Sequence, residues 1–517
     1  MSKQLIIYTR EPNKDIYYDH KLAHSMHLAY VEDGCAIAFN HNSGVLFAKA
    51  TENEDGSLNP KGLIEPYVFQ MENGEYGIVA KRIGEDVHDD VENSEKQNDV
   101  VSEALNTEEL LLVTTKDFIH YVEQGMTREY NDLYAQRIMQ ATDRENTPSN
   151  AQKSNCEVTA NDINAPVDLS KIEGIIFAQI IDIPDEKMDY LKKKLCPMKV
   201  ENWTGPIFDN PIAINRADPD VYLYNGMYYY IATNDADNNH TLYVRAAKKL
   251  EDIPTAPEHL ILDSDTYDDI KGLLWAPEFH EINGKLYIFH AATREEFFAE
   301  ESRLMELKDG GNPLVASDWS KPRRIVRMDG SELCEEGKEI SLDMTEFEWE
   351  GEYYVIWSQR QFLPKDLGAW LYIAKLNPDN PWMLASEPIV LSKPDYGWGN
   401  NHTFVEEGPF ALVNDDVLYI TFSAAAVDES YVVSYLSIGK GVDLLNPKNW
   451  WKNNYPILTS RSVQGEYGTG HNAYVIDPEG RVWNTYHARF GATAPRSSAI
   501  RQVFFDVDGA PVLDVVL

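Results

Sequence analysis

The sequence predicts an all-β fold: a five-bladed β-propeller preceded by an N-terminal β-rich accessory module. Three observations carry this expectation. In Asn215–Thr233 two apolar, aromatic runs flank Asn225-Gly226, the strongest short-range mark of a β-hairpin. The same plan returns four more times at a steady interval. Acidic residues precede most of the turns at a nearly constant offset.

The later copies are Phe279–Ala292, turning at Asn283-Gly284, and Phe347–Ser358, turning at Glu350-Gly351. Phe410–Ser423 follows with a turn near Asp415, and Tyr474–Ala488 with a turn at Glu479-Gly480. From Gly226 the turns fall at 284, 351, 415 and 480, in steps of 58, 67, 64 and 65 residues. A repeat of that length fits about four short strands per unit, and five units arranged radially make a five-bladed propeller.

Asp218 stands eight residues before Gly226, Asp343 eight before Gly351, and Glu407 eight before Asp415. Glu278 stands six before Gly284, and His471 nine before Gly480. If each copy begins with the innermost strand of its blade, these groups meet around one end of the central channel. Carboxylates crowded into a partly dry site take different pKa values, which divides acid from base. Each taken alone reads equally as a solvated acid at a strand edge; three in matching register point to a site.

Six short motifs then stand in order: R-A-D-P from Arg216, W-A-P-E-x-H from Trp275, L-D-x-T-x-F from Leu342, E-G-P from Glu407, G-x-G-H-N from Gly468 and H-A-R from His487. Together, over about Asn210 to the C-terminus, they resemble family 43 of the glycoside hydrolases, most of all its α-L-arabinofuranosidase branch. The resemblance implies a five-bladed propeller and single-displacement hydrolysis with inversion. It implies a general base at Asp218, a carboxylate that orients the base and tunes pKa at Asp343, and a general acid at Glu407. Glu406 is adjacent, but strand alternation sends neighbours to opposite faces, and the E-G-P register places 407 inward. Inverting chemistry requires the two carboxyl groups roughly 6.5–9.5 Å apart, a gap that strands of different blades supply.

Other residues of these motifs are candidates for substrate contact. Trp275 is either a platform for the apolar face of a sugar or a core aromatic. Glu278 and His280 either bind a hydroxyl or support the inner strand. Trp398, in DYGWGNN, is a candidate wall of the leaving-group subsite. Arg489 matches a family position beside the catalytic carboxylates. The resemblance further implies an axial ion, often calcium, near His471 and held mostly through water; catalysis itself requires no cofactor. The reading is an exo-acting α-L-arabinofuranosidase on arabino- or arabinoxylo-oligosaccharides. The alternatives are a β-D-xylosidase on the same site and a non-catalytic carbohydrate-binding propeller.

The chain has 517 residues, more than one ordinary domain. Residues 1–124 read as the accessory β module, with turns at Asp33-Gly34 and Asn73-Gly74 and a further strand in Leu110–Tyr121. A role in shaping the substrate cleft or a homo-oligomer interface is open to it. The acidic block Glu85–Glu95 reads as solvated loop. Residues 125–200 read as a connector: loop over Met139–Pro166, a strand over Gly174–Ile183, and a short helix over Pro184–Leu195. That helix has acids in its first turn, lysines in its last, and Met188, Leu191 and Leu195 on one face. Residues 201–517 form the catalytic propeller, whose last blade is expected to close with Arg501–Leu517.

A net charge of −38 opposes nucleic acid, anionic membranes and strongly acidic substrates; a small neutral oligosaccharide suits it. The chain has no apolar run of membrane-spanning length and no visible signal peptide. Cys35, Cys156, Cys196 and Cys334 lack metal-ligand spacing. They read as reduced thiols, and the expected location is cytoplasmic.

Overall fold

A computed structural model describes residues 2–13, 18–84, 109–136, 157–160 and 167–517. The described chain forms two compact units. One comprises Met1–Pro197 with Asp395–Trp398, the other Met198–Pro394 with Gly399–Leu517.

The second unit is the five-bladed propeller. Four of its sheets are four-stranded meanders in chain order. Their innermost strands are Arg216–Tyr224, Gly272–Ile282, Glu339–Trp349 and Glu406–Asn414. The fifth sheet is composite. Tyr467–Ile476, Val482–Arg489 and Arg496–Gln502 supply three strands, and Ala213–Ile214 pairs with the last of them as the outer strand. The ring is thus closed by the segment that enters it. The expected closing stretch Arg501–Leu517 instead ends the third strand and forms a separate two-stranded ribbon, Phe504–Phe505 with Pro511–Val512. Two residues are too short to leave a periodic signal, which is why the closure escaped the sequence.

The Asn-Gly turns do what their residues permit. Asn225 and Gly226 both adopt positive φ, 49° and 74°, which the tight hairpin between Arg216–Tyr224 and Met227–Asn234 requires. Blades then stack through apolar faces. Ile231 and Val244 of the first blade meet Phe279 and Ile288 of the second. Phe289 of the second meets Val355 and Trp357 of the third. Tyr419 of the fourth meets Tyr486 of the fifth.

Each innermost strand carries a bulge near its start. The residue in the left-handed region there is Asp218, Ala276, Asp343, Gly408 and His471, with φ of 50°, 45°, 55°, 53° and 54°. Bulges re-aim side chains and are common beside active sites. A left-handed non-glycine costs about 1–2 kcal/mol, and four of the five are not glycine. The repeat therefore sets a ring of five equivalent left-handed positions, four of them strained.

The first unit holds a five-stranded sheet in the order Glu157–Ala160, Ile175–Pro184, Ser2–Arg10, His27–Glu32, Cys35–Ala38. A four-stranded meander runs Lys61–Gln70, Tyr76–Gly84, Leu110–Thr115, Tyr121–Thr127. The segment expected as connector is thus partly sheet. Ile175–Pro184 pairs along the length of Ser2–Arg10, and Glu157–Ala160, expected as loop, adds a parallel edge. The helix spans Asp185–Leu195 with Pro184 at its cap, and buries Met188, Leu191 and Leu195. The acidic block Glu85–Glu95, Cys156 and the rest of Met139–Pro166 lie outside the described residues. Among the described residues Cys35, Cys196 and Cys334 form no disulfide. Among the described residues no helix is long and apolar enough to cross a membrane.

Candidate active site

The bulges open onto a cavity of about 410 Å³ in the propeller, whose wall includes Asp218, Asp343, Glu407 and His471. Asp218 is buried, and its Oδ1 faces three nitrogens: His487 Nδ1 at 3.0 Å, Arg496 Nη1 at 3.2 Å and His471 Nδ1 at 3.3 Å. Burial by itself would raise its pKa. The Arg496 guanidinium, then His471 and His487, overcome that and hold the carboxyl well below the usual carboxylate range.

Asp343 sits in a different field. Its Oδ2 accepts the backbone N–H of Gly408 at 3.0 Å and lies 4.0 Å from His471 Nδ1. Burial, then Glu407, then Asp218 push it well above its ordinary value. Glu407 is pushed up to about 7, first by burial and then by the charge of Asp218; the Tyr431 hydroxyl, which donates to Oε1 at 2.8 Å, works the other way. One cavity thus holds a carboxylate fixed in its ionised form and a carboxyl that is half-protonated near neutrality. That is the electrostatic signature of a base paired with an acid.

Strand register separates Glu407 from Glu406 as alternation requires. Glu406 is buried and its Oε1 forms an ion pair with Lys452 at 2.5 Å. The offsets read from the turns need one adjustment. Gly408, not Glu407, occupies the bulge position equivalent to Asp218 and Asp343, so Glu407 precedes that position by one residue.

Of the expected substrate contacts, Trp275 and Arg489 reach the cavity wall. Trp275 is half-buried beside Phe297, with ring centroids 6.1 Å apart, and its Nε1–H donates to the Asn239 amide oxygen at 3.0 Å once that amide is oriented to suit its neighbours. Arg489 is anchored by donating to the carbonyls of Ala494 and Val427. Glu278 is not on the wall. It is buried two residues beyond the bulge, with Oε2 2.9 Å from His280 Nε2, and so takes the supporting role. Trp398 is not on the wall either: it belongs to Asp395–Trp398 of the first unit and is fully buried with its ring stacked on Tyr396. Its apolar area drives it into packing rather than toward a sugar.

Four residues on or behind the wall were missed from sequence. Arg496 and His487 hold Asp218, Tyr431 holds Glu407, and Arg360 lines the cavity beside them. His487 stands in the H-A-R motif, where a signal existed. Tyr431 and Arg496 come from or just before third strands and have none.

Among the described residues no group of three or more His, Cys, Asp or Glu is arranged to hold a metal ion. His471 turns Nδ1 to the carboxylates, and its Nε2 is buried without a protein partner. The residues fit a calcium only as an ion held chiefly by water with one imidazole beside it, since calcium takes six to eight mostly oxygen ligands.

The family model described as Glycosyl hydrolases family 43 matches residues 208–511. An extracellular exo-α-(1→5)-L-arabinofuranosidase of Streptomyces avermitilis is 30% identical over 314 residues, 59% of this chain and 62% of that protein. The chain therefore matches less than two thirds of that relative's length. A protein of the same name from Streptomyces chartreusis is 31% identical over 284 residues, 54% of this chain and 82% of its own. The crystal structure of an α-L-arabinofuranosidase from Lactobacillus brevis superimposes with a TM-score of 0.52 at 28% identity, covering 60% of this chain and 96% of that one. Both Streptomyces relatives are named extracellular, and this overturns the expectation of a cytoplasmic protein. Scattered cysteines and an undistinguished N-terminus were too weak a basis for it.

Proposed function

The chain belongs to the glycosyl hydrolases of family 43, and on that premise we propose that it removes terminal α-L-arabinofuranose from small neutral oligosaccharides with inversion at the anomeric carbon. The observation that carries the proposal is the opposite displacement of Asp218 and Glu407 on one cavity wall. Names of the Streptomyces and Lactobacillus relatives support the choice of sugar.

Asp218, ionised, takes a proton from a water molecule as its oxygen attacks the anomeric carbon. Glu407, protonated, gives its proton to the glycosidic oxygen as the bond to the leaving sugar breaks. One proton enters the carboxylate and one leaves the acid, so the site ends with their protonation exchanged and solvent restores it. Asp343 tethers the backbone of the acid's strand through Gly408 and shares His471 with the base. Trp275 and Phe297 offer apolar wall to the sugar ring, and Arg360 and Arg489 line the polar side. A calcium ion beside His471 Nε2 would stiffen the axis and takes part in no step.

The test is hydrolysis of 4-nitrophenyl α-L-arabinofuranoside and 4-nitrophenyl β-D-xylopyranoside side by side, with the first-formed anomer followed by proton NMR. The expected result is arabinose released first as the β-anomer, with Asp218→Asn slower by about 10²–10⁴-fold on the nitrophenyl substrate and Glu407→Gln slower by about the same factor on α-1,5-arabinobiose, whose leaving group needs the proton. Xylose release alone, or a first-formed α-anomer, contradicts the sugar or the stereochemistry proposed.

A further inference from the structure

Resting on that reading, we infer that Tyr431 is a positioning residue that fixes which oxygen of Glu407 carries the transferable proton. Tyr431 is fully buried, and its hydroxyl lies 2.8 Å from Glu407 Oε1. Among the described residues Glu407 is the hydroxyl's hydrogen-bond partner. A buried phenol that accepted from Oε1–H would leave its own proton without an acceptor, which is costly. The phenol therefore donates, Oε1 accepts, and a protonated Glu407 holds its proton on Oε2.

The ring is held from two sides. His487 stacks on it with centroids 5.4 Å apart and planes 8° from parallel. His487 also contacts Asp218 Oδ1 through Nδ1 at 3.0 Å, so the same imidazole braces the base and the residue that aims the acid. On another side stands Gly470 of the G-T-G-H-N motif. A Cβ there would lie 2.4 Å from Tyr431 Cε1 and 2.6 Å from Cδ1, closer than atoms can approach. The glycine leaves room for the phenol in its place. Neither Tyr431 nor the need for a glycine at 470 follows from the three carboxylates alone.

The chemical consequence is directional. As Oε2–H passes to the glycosidic oxygen, negative charge grows on the carboxylate and the bond from Tyr431 becomes charge-assisted. The phenol thus helps where the leaving group needs a proton and is idle where it does not. The charged and titratable groups acting on Glu407 are Tyr431, Asp218, Arg496, Arg360 and Asp343; of these only the Tyr431 bond is removed by the change to phenylalanine.

The experiment compares wild type and Tyr431→Phe on 2,4-dinitrophenyl α-L-arabinofuranoside, whose phenolate leaves unaided, and on α-1,5-arabinobiose, whose alkoxide does not. The expected result is a kcat loss of about tenfold to hundredfold on arabinobiose with little change on the dinitrophenyl substrate. The alkaline limb of the pH profile moves upward. Gly470→Ala, which displaces the ring, gives the same split. A fluorotyrosine incorporated at 431, of nearly the same shape but a stronger donor, moves the alkaline limb downward and guards against a phenylalanine variant that fails to fold. Equal losses on both substrates, or limbs that stay in place, overturn the inference while leaving the glycosidase intact. A wild-type chain that cleaves neither substrate removes the activity reading and this inference with it.

Discussion

Replacing Arg496 by glutamine tests the electrostatic frame around the base. Arg496 Nη1 lies 3.2 Å from Asp218 Oδ1, while Nε and Nη2 bind both oxygens of Asp235 at 3.0 and 2.8 Å. Two unit charges 3.2 Å apart attract by about 5 kcal/mol at an effective dielectric of about 20. A hydrogen bond to a charged group contributes a smaller net amount, about 1.5–3 kcal/mol, because its partner returns to other donors. His471 and His487 remain as such donors here. At about 1.4 kcal/mol per unit, Arg496→Gln raises the pKa of Asp218 by about one to two units. The base must be ionised to work, so the acid limb of kcat/KM moves up by that amount. Arg496 also lowers Glu407, so the alkaline limb rises too, though less, since no direct contact joins them. The whole bell is displaced upward and narrowed from its acid side. The assay is the pH profile of arabinofuranoside hydrolysis, with Asp235→Asn as control: it loosens Arg496 but keeps its contact with Asp218 and shifts the limb less. A folded Arg496→Gln protein whose acid limb coincides with wild type would refute the assignment of Asp218 as the ionised base.

Two further predictions concern stability. Glu346 is buried with Oε2 3.6 Å from His280 Nδ1, and burial, only partly offset by His280, lifts it to about 7. Since the folded pKa lies above the unfolded one, the unfolded chain ionises first. Stability is full at low pH, falls between about 4.5 and 7 by about 3 kcal/mol, and is flat above. Glu346→Gln removes that slope, so its advantage over wild type in urea unfolding grows from pH 5 to pH 7.5; an advantage that does not change with pH contradicts the raised pKa. Trp357 is fully buried between the second and third blades, and Trp357→Ala is expected to lower unfolding free energy by about 3–5 kcal/mol, read from the denaturant midpoint of the propeller.

The propeller was legible because its turns obey a chemical rule. Positive φ at both central residues selects Asn-Gly, so Asn225-Gly226 and Asn283-Gly284 announce themselves in letters. The cavity carboxylates proposed as base and acid were marked in the sequence by the motifs around Asp218 and Glu407. What stayed hidden follows from weaker local constraint. The closing strand Ala213–Ile214 is two residues long, and period-2 patterning needs more. Trp398 read as a wall of the leaving-group subsite because a tryptophan next to glycines reads alike whether open or packed, and only burial against Tyr396 decides. Arg496 acts from the neighbouring blade and Tyr431 from just before another strand of the acid's own blade, and their partners lie 278 and 24 residues away in the chain.

The deepest regularity had no letters at all. The left-handed bulge position is filled by Asp, Ala, Asp, Gly and His in the five blades, so no residue pattern marks it, yet it organises the chemistry. In three blades the polar side chain on the cavity wall springs from that position itself, at Asp218, Asp343 and His471. In the fourth it does not: a Cβ at 408 would stand 3.0 Å from His471 Nδ1 and 3.1 Å from Cγ, so His471 would have to give way. The position is glycine, and the acid moves back one residue to 407. That step turns Glu407 toward the phenol of Tyr431, while Asp218 keeps its two imidazoles and a guanidinium. Register alone does not set the pKa: Asp343 holds the same bulge position as Asp218 and is pushed up while Asp218 is held down, because their neighbours differ. The one-residue offset gives Glu407 neighbours of its own, and in the proposed mechanism those neighbours suit it to be the acid and those of Asp218 suit it to be the base.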